Sequence, residues 1–207
     1  DPTSNEAESA TVDDSTSTTA PASEPEKSSE KKRKKNTTRE LLELGVISLV
    51  PHTTPQGQAI VLIRFRNTRP TEFKYHARLV VRAMHYVLMT ALRTFPSAQT
   101  RGFVICGNFK GTGLANVDRK VPPKMAKLFN GIIPIRLAGM LIVNPNMIVR
   151  IVVPLAKMFL SKKLGQRIHA VSTTEELTSV FGIPVSCIPQ EVGGEAVTAI
   201  PQDAEKY

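Results

Sequence analysis

Ile133-Pro134-Ile135-Arg136-Leu137-Ala138-Gly139-Met140-Leu141-Ile142-Val143-Asn144-Pro145 leads into an almost wholly apolar segment, Met147 to Leu160. After it comes Ser161-Lys162-Lys163-Leu164-Gly165-Gln166-Arg167-Ile168-His169. In physical terms the stretch is a basic turn, a buried strand, a greasy helix and a cationic hinge. Between Met147 and Leu160 the only charges are Arg150 and Lys157, whose spacing puts both on one face of a helix. A helix apolar nearly all round is either buried on both sides or in contact with lipid. Pattern alone favours a central core helix, since a chain of this length has room for one. Pro154 removes a backbone hydrogen bond, which suits a kinked helix and a moving one equally.

Working outward, Ala59-Ile60-Val61-Leu62-Ile63 is a continuous aliphatic run and predicts a buried strand. Apolar residues then recur in steps of three and four from Phe73 to Phe95, which predicts a long amphipathic helix ended by Pro96. Phe103–Cys106 predicts a second buried strand, Pro122 opens a helix, and Met140–Val143 is a third strand. Ile168–Val171 makes a fourth, and Thr173-Thr174-Glu175-Glu176 has the form of a capping box for a helix stopped at Gly182. Short aliphatic strands alternating with helices predict an α/β domain with a largely parallel sheet.

The 207 residues carry a net charge of +9, unevenly spread. Residues 1–30 hold eight acids against one lysine, and the run Lys31-Lys32-Arg33-Lys34-Lys35 adds +5, which leaves +11 on residues 36–207. Such a body favours an anionic partner, either nucleic acid or an acidic membrane surface. Residues 1–38 contain Val12 as their one large aliphatic residue and predict a disordered tail, acidic and then basic. Residues 39–197 carry the domain composition, and 198–207 a flexible tail. No apolar run reaches the roughly 20 residues of a membrane-spanning helix, so membrane contact is expected to be peripheral.

Catalytic and metal signatures are poor. Cys106 and Cys187 sit in apolar contexts, and the four histidines show no ligand spacing, so no metal site, disulfide or cofactor is expected. Gly107, Gly111 and Gly113 fit neither a dinucleotide fingerprint nor a P-loop. Asp118 is the only acid between Glu72 and Glu175, leaving no carboxylate pair in the middle of the domain. The expectation is a chain that is not an enzyme. Against nucleic acid stand the absence of tryptophan, an aromatic content of 5%, and no helix with an obvious basic recognition face.

The order basic turn, strand, Asn144-Pro145, greasy helix closed by Phe159-Leu160, cationic Lys162, Lys163 and Arg167, and exit Gly193-Gly194-Glu195 resembles the CRAL-TRIO lipid-binding domain. The resemblance spans about Arg39 to Glu195, while the helical module that precedes the domain in that family is largely missing, which points to a fragment or reduced variant. It implies a largely parallel sheet flanked by helices, with an apolar cavity closed by a lid at residues 146–160. By that resemblance Val104, Cys106, Ile135, Leu141, Val143, Ile148, Ile151, Val152, Leu155, Met158 and Phe159 would line the cavity or form the lid. Arg136, Lys162, Lys163 and Arg167 would meet phosphoinositides on an anionic membrane.

The implied protein is a cytoplasmic, peripherally membrane-associated monomer that binds and transfers a lipid. Asn108 stands where an aspartate is common in the family. Ile135 stands where phosphatidylinositol binders often carry a glutamate that contacts the headgroup, which shifts the expected ligand toward isoprenoid or sterol-like molecules. A nucleic-acid or scaffold module, and a CRAL-TRIO domain whose cavity has filled and that binds proteins, remain the alternatives.

Overall fold

The computed structural model describes residues 37–133 and 135–198. The acidic segment, the Lys31–Lys35 run and most of the expected C-terminal tail lie outside the described residues. Thr37, which composition places in the tail, caps the first helix, α1 (Thr38–Glu43). Its hydroxyl accepts from the Glu40 N–H and the Glu40 carboxylate accepts from the Thr37 N–H. This reciprocal box satisfies two N–H groups that a helix start leaves open.

Five strands form one sheet in the order β1-β2-β3-β4-β5. They are β1 (Ile47–Thr53), β2 (Ala59–Arg64), β3 (Phe103–Asn108), β4 (Leu137–Val143) and β5 (Ile168–Val171). β1 pairs antiparallel with β2, and every later pair is parallel. Hydrophobic pattern does not flag β1, because Pro51 interrupts it. The strand lies at the edge of the sheet and its register slips between Leu49 and Thr53, a position where a residue without an N–H is tolerated.

Parallel neighbours need crossovers. α2 (His76–Thr94) and the short α3 (Ala98–Arg101) join β2 to β3, and α4 (Val121–Lys127) with a following wide turn joins β3 to β4. α5 (Val149–Phe159) and α6 (Lys162–Gly165) join β4 to β5. α7 (Thr174–Ser179) follows the last strand. The Thr173 hydroxyl accepts from the Glu176 N–H, but the Glu176 carboxylate takes the Ser172 N–H, so the capping box expected there is only half made.

The two faces of the sheet pack differently. On one, Val61, Ile105 and the apolar stripe of α2 (Ala83, Met84, Val87 and Leu88) form the main core. Met84 and Leu88 are wholly buried, and each such side chain contributes roughly 1.5–3 kcal/mol. On the other face Ile60, Leu62, Val104, Cys106, Leu141 and Val143 pack against Leu177, Ile183, Ile188 and Val192. That second layer is α7 and the largely irregular coil that follows it, and it is closed by Gly193-Gly194. Gly193 has φ +90°, and a Cβ on Gly194 would sit 2.0 Å from the Ile188 carbonyl oxygen, so only glycine fits. Arg64, buried at the end of β2, holds the segment in place. Its Nε donates to the Glu191 carboxylate at 2.6 Å, and its Nη atoms donate to the Gly45 carbonyl, Ser48 Oγ and Thr198 Oγ1. A buried guanidinium is tolerable because its donors are so engaged.

Candidate functional site

Side chains alternate across a strand, so β3 sends Ile105 and Gly107 to the α2 face, and β4 sends Met140 and Ile142. Between these residues, α2, α4 and α5 lies a cavity of about 140 Å³. Its floor is the sheet, its walls include Val80 and Met84 of α2 and Met125 and Phe129 of the α4 region, and its roof is Val152, Val153, Leu155, Ala156 and Leu160. Phe65 and Phe109 line one end with their rings stacked 4.2 Å apart. No Lys or Arg is among the lining residues.

α5 covers this cavity without being buried by it. None of its residues is buried, and Met147 and Met158 are 80% and 77% exposed. Ile151 and Phe159 also face solvent, beside Arg150 and Lys157. The core position that the pattern favours for this helix is therefore not where it lies. Pro154 sits in its middle, so the Arg150 carbonyl lacks its helical donor.

Both ends of α5 are tied. At the entry Asn144 takes a left-handed conformation, φ 52°, which asparagine tolerates better than most residues. Its Nδ2 donates to Asn108 Oδ1 at 3.1 Å. Asn146 Nδ2 donates to the Phe109 and Thr112 carbonyls at 2.9 and 3.0 Å, and its Oδ1 accepts from the Ile148 N–H. At the exit Asn130 Nδ2 donates to the Phe159 carbonyl at 3.1 Å.

One end of the cavity is polar. His76 opens α2, directly after Tyr75, whose φ of 66° is left-handed. Its Nδ1 lies 3.1 Å from Asp118 Oδ2, and Asp118 Oδ1 accepts from the Lys120 N–H. Thr68, Thr112 and Asn116 join them in the lining.

A second cleft, of about 460 Å³ and open to solvent, lies where α5 ends. It is lined by Arg136, Lys163 and Arg167 with Asn130, Ser161 and Ile135, and no carboxylate is among its lining residues. An Arg167 Nη1 donates to the Leu137 carbonyl, which fixes its stem along the sheet.

The structure sorts the expected site residues into groups. Val152 and Leu155 line the cavity. Val104, Cys106, Leu141 and Val143 do not: they project from the opposite face of the sheet into the coil-covered core. β3 and β4 are apolar on both faces, so their sequence gives no parity signal. Ile135 lines the basic cleft instead of the cavity. Ile148 is buried against Phe109 and Ile142, while Ile151, Met158 and Phe159 form the outer face of α5. Of the four cations, Arg136, Lys163 and Arg167 share the cleft, and Lys162 is exposed on α6 outside its lining.

His76 and Thr112 are cavity residues that no motif marks, and Asp118 meets His76 from 42 positions away. α2 also bears the basic face the sequence reading does not find, since Arg78, Arg82, His85 and Arg93 are exposed along it. Burial pushes the Cys106 thiol up to about 12, which makes it inert. Among the described residues no cluster of three His, Cys, Asp or Glu side chains is arranged to hold a metal. Among the same residues no helix is long and apolar enough to cross a membrane.

A mixed sheet with an apolar cavity on one face, roofed by an unburied apolar helix, defines the class of α/β domain to which the chain is compared. Residues 45–194 match the CRAL/TRIO domain, and the chain belongs to that family. The "Alpha-tocopherol transfer protein-like" proteins of Homo sapiens and Mus musculus are each 28% identical to it over 163 residues, covering 76% of this chain and 46% of theirs. The chain thus spans about half the length of the curated relatives it matches. The solved structure titled "Crystal structure of Sfh5" has the same fold, with a TM-score of 0.60 at 16% identity over 83% of this chain and 66% of that one.

Proposed function

We propose that this domain binds a hydrophobic lipid in the cavity under α5 and passes it between membranes, with α5 as the moving cover. The observation that carries this reading is the mismatch between the composition and the burial of α5. An 11-residue helix with two charges leaves its outer apolar face in water and roofs a cavity with the inner one. A surface of that kind costs solubility unless it meets a membrane or a partner. Burial of a ligand tail gains roughly 0.8 kcal/mol per methylene, so affinity needs little polar recognition. The present 140 Å³ is below the roughly 300–1,000 Å³ of drug-sized ligand sites. Loading would therefore require α5 to lift, and its outward residues Met158 and Phe159 would enter the bilayer as it does.

The cleft of Arg136, Lys163 and Arg167, with Lys162 beside it, would hold anionic lipid headgroups such as phosphoinositides at the membrane surface while the cover opens. Ile135 lines this cleft and not the cavity, so it sets no preference between an isoprenoid or sterol-like ligand and phosphatidylinositol in the cavity. Two free, buried thiols, Cys106 and Cys187, suit a reducing compartment such as the cytoplasm. A monomer that binds without catalysis or a resident cofactor is the form this reading takes.

The test is lipid transfer between donor and acceptor vesicles, together with native mass spectrometry of the purified chain for a bound lipid. Transfer is expected, and the double variant Lys163→Ala/Arg167→Ala should weaken attachment to phosphoinositide-containing vesicles by about 1 kcal/mol per charge, with neutral vesicles little affected. Absence of both transfer and bound lipid would overturn the reading. It would favour the alternative suggested by the small volume, a domain with a filled cavity that binds proteins through the outer face of α5.

A further inference from the structure

The six methionines of the chain divide sharply between interior and surface. Met84 is wholly buried, and Met89, Met125 and Met140 are half-buried. Met147 and Met158 are 80% and 77% exposed, one at each end of α5. Met147, Ile151, Pro154 and Met158 follow one another in steps of four, three and four, so they form a single ridge along the outer side of the helix. Ile151 is 47% exposed and Phe159 39%, so the two thioethers are the most exposed apolar groups on that surface. Arg150 and Lys157 flank the ridge and are also exposed. Methionine packs much as leucine does but differs in one reaction, since its sulfur takes up an oxygen atom.

We propose that Met147 and Met158 are an oxidation site for hydrogen peroxide, and that their conversion to sulfoxides keeps α5 out of the membrane. This rests on the membrane-entering role of α5 proposed above and adds its regulation. A sulfur lone pair attacks one oxygen of the peroxide, and the S–O bond forms as the O–O bond breaks. The departing hydroxide takes the proton from the new S–OH group and leaves as water. The sulfur loses two electrons and the peroxide gains them, so no further reactant is needed. The product is a polar group that accepts hydrogen bonds and has no donor of its own. Carried into hydrocarbon, it would lose its water and find no partner there. The ridge that enters a bilayer when reduced would thus stay in water when oxidised. Met84 is shielded from the same reagent by the core, and the thiols of Cys106 and Cys187 are both buried. Arg150 and Lys157 are untouched by the reaction, so attraction to an anionic surface persists while insertion is lost. A sulfoxide can be reduced again, which makes the change reversible.

The purified chain is treated with hydrogen peroxide, the oxidised positions are mapped by peptide mass spectrometry, and binding to phosphatidylcholine vesicles containing phosphoinositide is measured. Met147 and Met158 should oxidise well before Met84. Vesicle binding should then fall roughly tenfold, a factor in the range that transfer of a polar group out of water sets. Methionine sulfoxide reductase should restore it. The double variant Met147→Leu/Met158→Leu should bind as the untreated chain does and keep that binding after peroxide. Uniform oxidation of all six methionines, unchanged binding once the two are oxidised, or an equal loss in the leucine variant would overturn the switch while leaving the cavity and its cover standing. Failure of the untreated chain to bind the vesicles would overturn the membrane part of the proposed function and the switch with it.

Discussion

α2 and α5 pack over the same face of the sheet, yet they do opposite things with their apolar residues. α2 is a mixed helix with an arginine-bearing outer face, and ten of its 19 residues are buried. α5 is by far the greasier, and none of its residues is buried. Both helices are amphipathic, so the difference lies in what each one faces. The stripe on α2 is placed so that Met84, Val87, Leu88 and Ala91 reach the core together, whereas the inner side of α5 roofs a cavity and its outer side carries Arg150 and Lys157 into solvent. Under the proposed function α5 is the element that would move, and such an element would come from the less buried part of the structure.

Truncation should expose that contrast most strongly. Leu88→Ala removes a wholly buried side chain and should cost about 2–5 kcal/mol. Leu155→Ala in the roof should cost less than about 1 kcal/mol. Urea denaturation of the two variants measures both, and equal losses would mean that α5 is core after all.

A smaller effect is expected at the hinge. Asn146→Ala removes the side-chain bonds to the Phe109 and Thr112 carbonyls and to the Ile148 N–H, and should cost about 1–3 kcal/mol. Local hydrogen exchange should show residues 149–159 losing protection before α2 does. An unchanged exchange pattern would show that the α5 entry is not held there.

The opposite face of the sheet supplies the smallest effect. With the Cys106 thiol pushed from its ordinary 9.0 to about 12 by burial, it should resist a disulfide reagent at pH 8 until the chain unfolds. A thiol harder to ionise when folded adds stability that is fully present below pH 9 and is lost as pH rises toward 12. Rapid native labelling of Cys106 would mean that the coil-covered face opens more readily than α2.

Much of this architecture is legible in the sequence because it is written in periodicity. The aliphatic runs at Ala59–Ile63 and Phe103–Cys106 and the three-four steps of α2 each fall where the elements lie. Parity is not legible: Val104 and Ile105, or Leu141 and Ile142, are equally apolar, and only the folded sheet shows which of each pair looks into the cavity. β1 is hidden by Pro51, a residue that reads as a break and is accommodated because the strand is an edge. The cluster of Arg136, Lys163 and Arg167 follows from the family pattern. The polar end of the cavity does not, since His76, Thr112 and Asp118 come from three separate segments whose meeting is set by tertiary packing. Asp118 stands out in the sequence only as an isolated acid.

Whether α5 is a cover or a core helix is tested most directly by residue-level hydrogen exchange of the purified chain. Amides along Val149–Phe159 should exchange through local opening orders of magnitude faster than those along His76–Thr94, and should slow when dodecane is added as an apolar ligand. Protection in α5 equal to that in α2, with no response to dodecane, would contradict the cover.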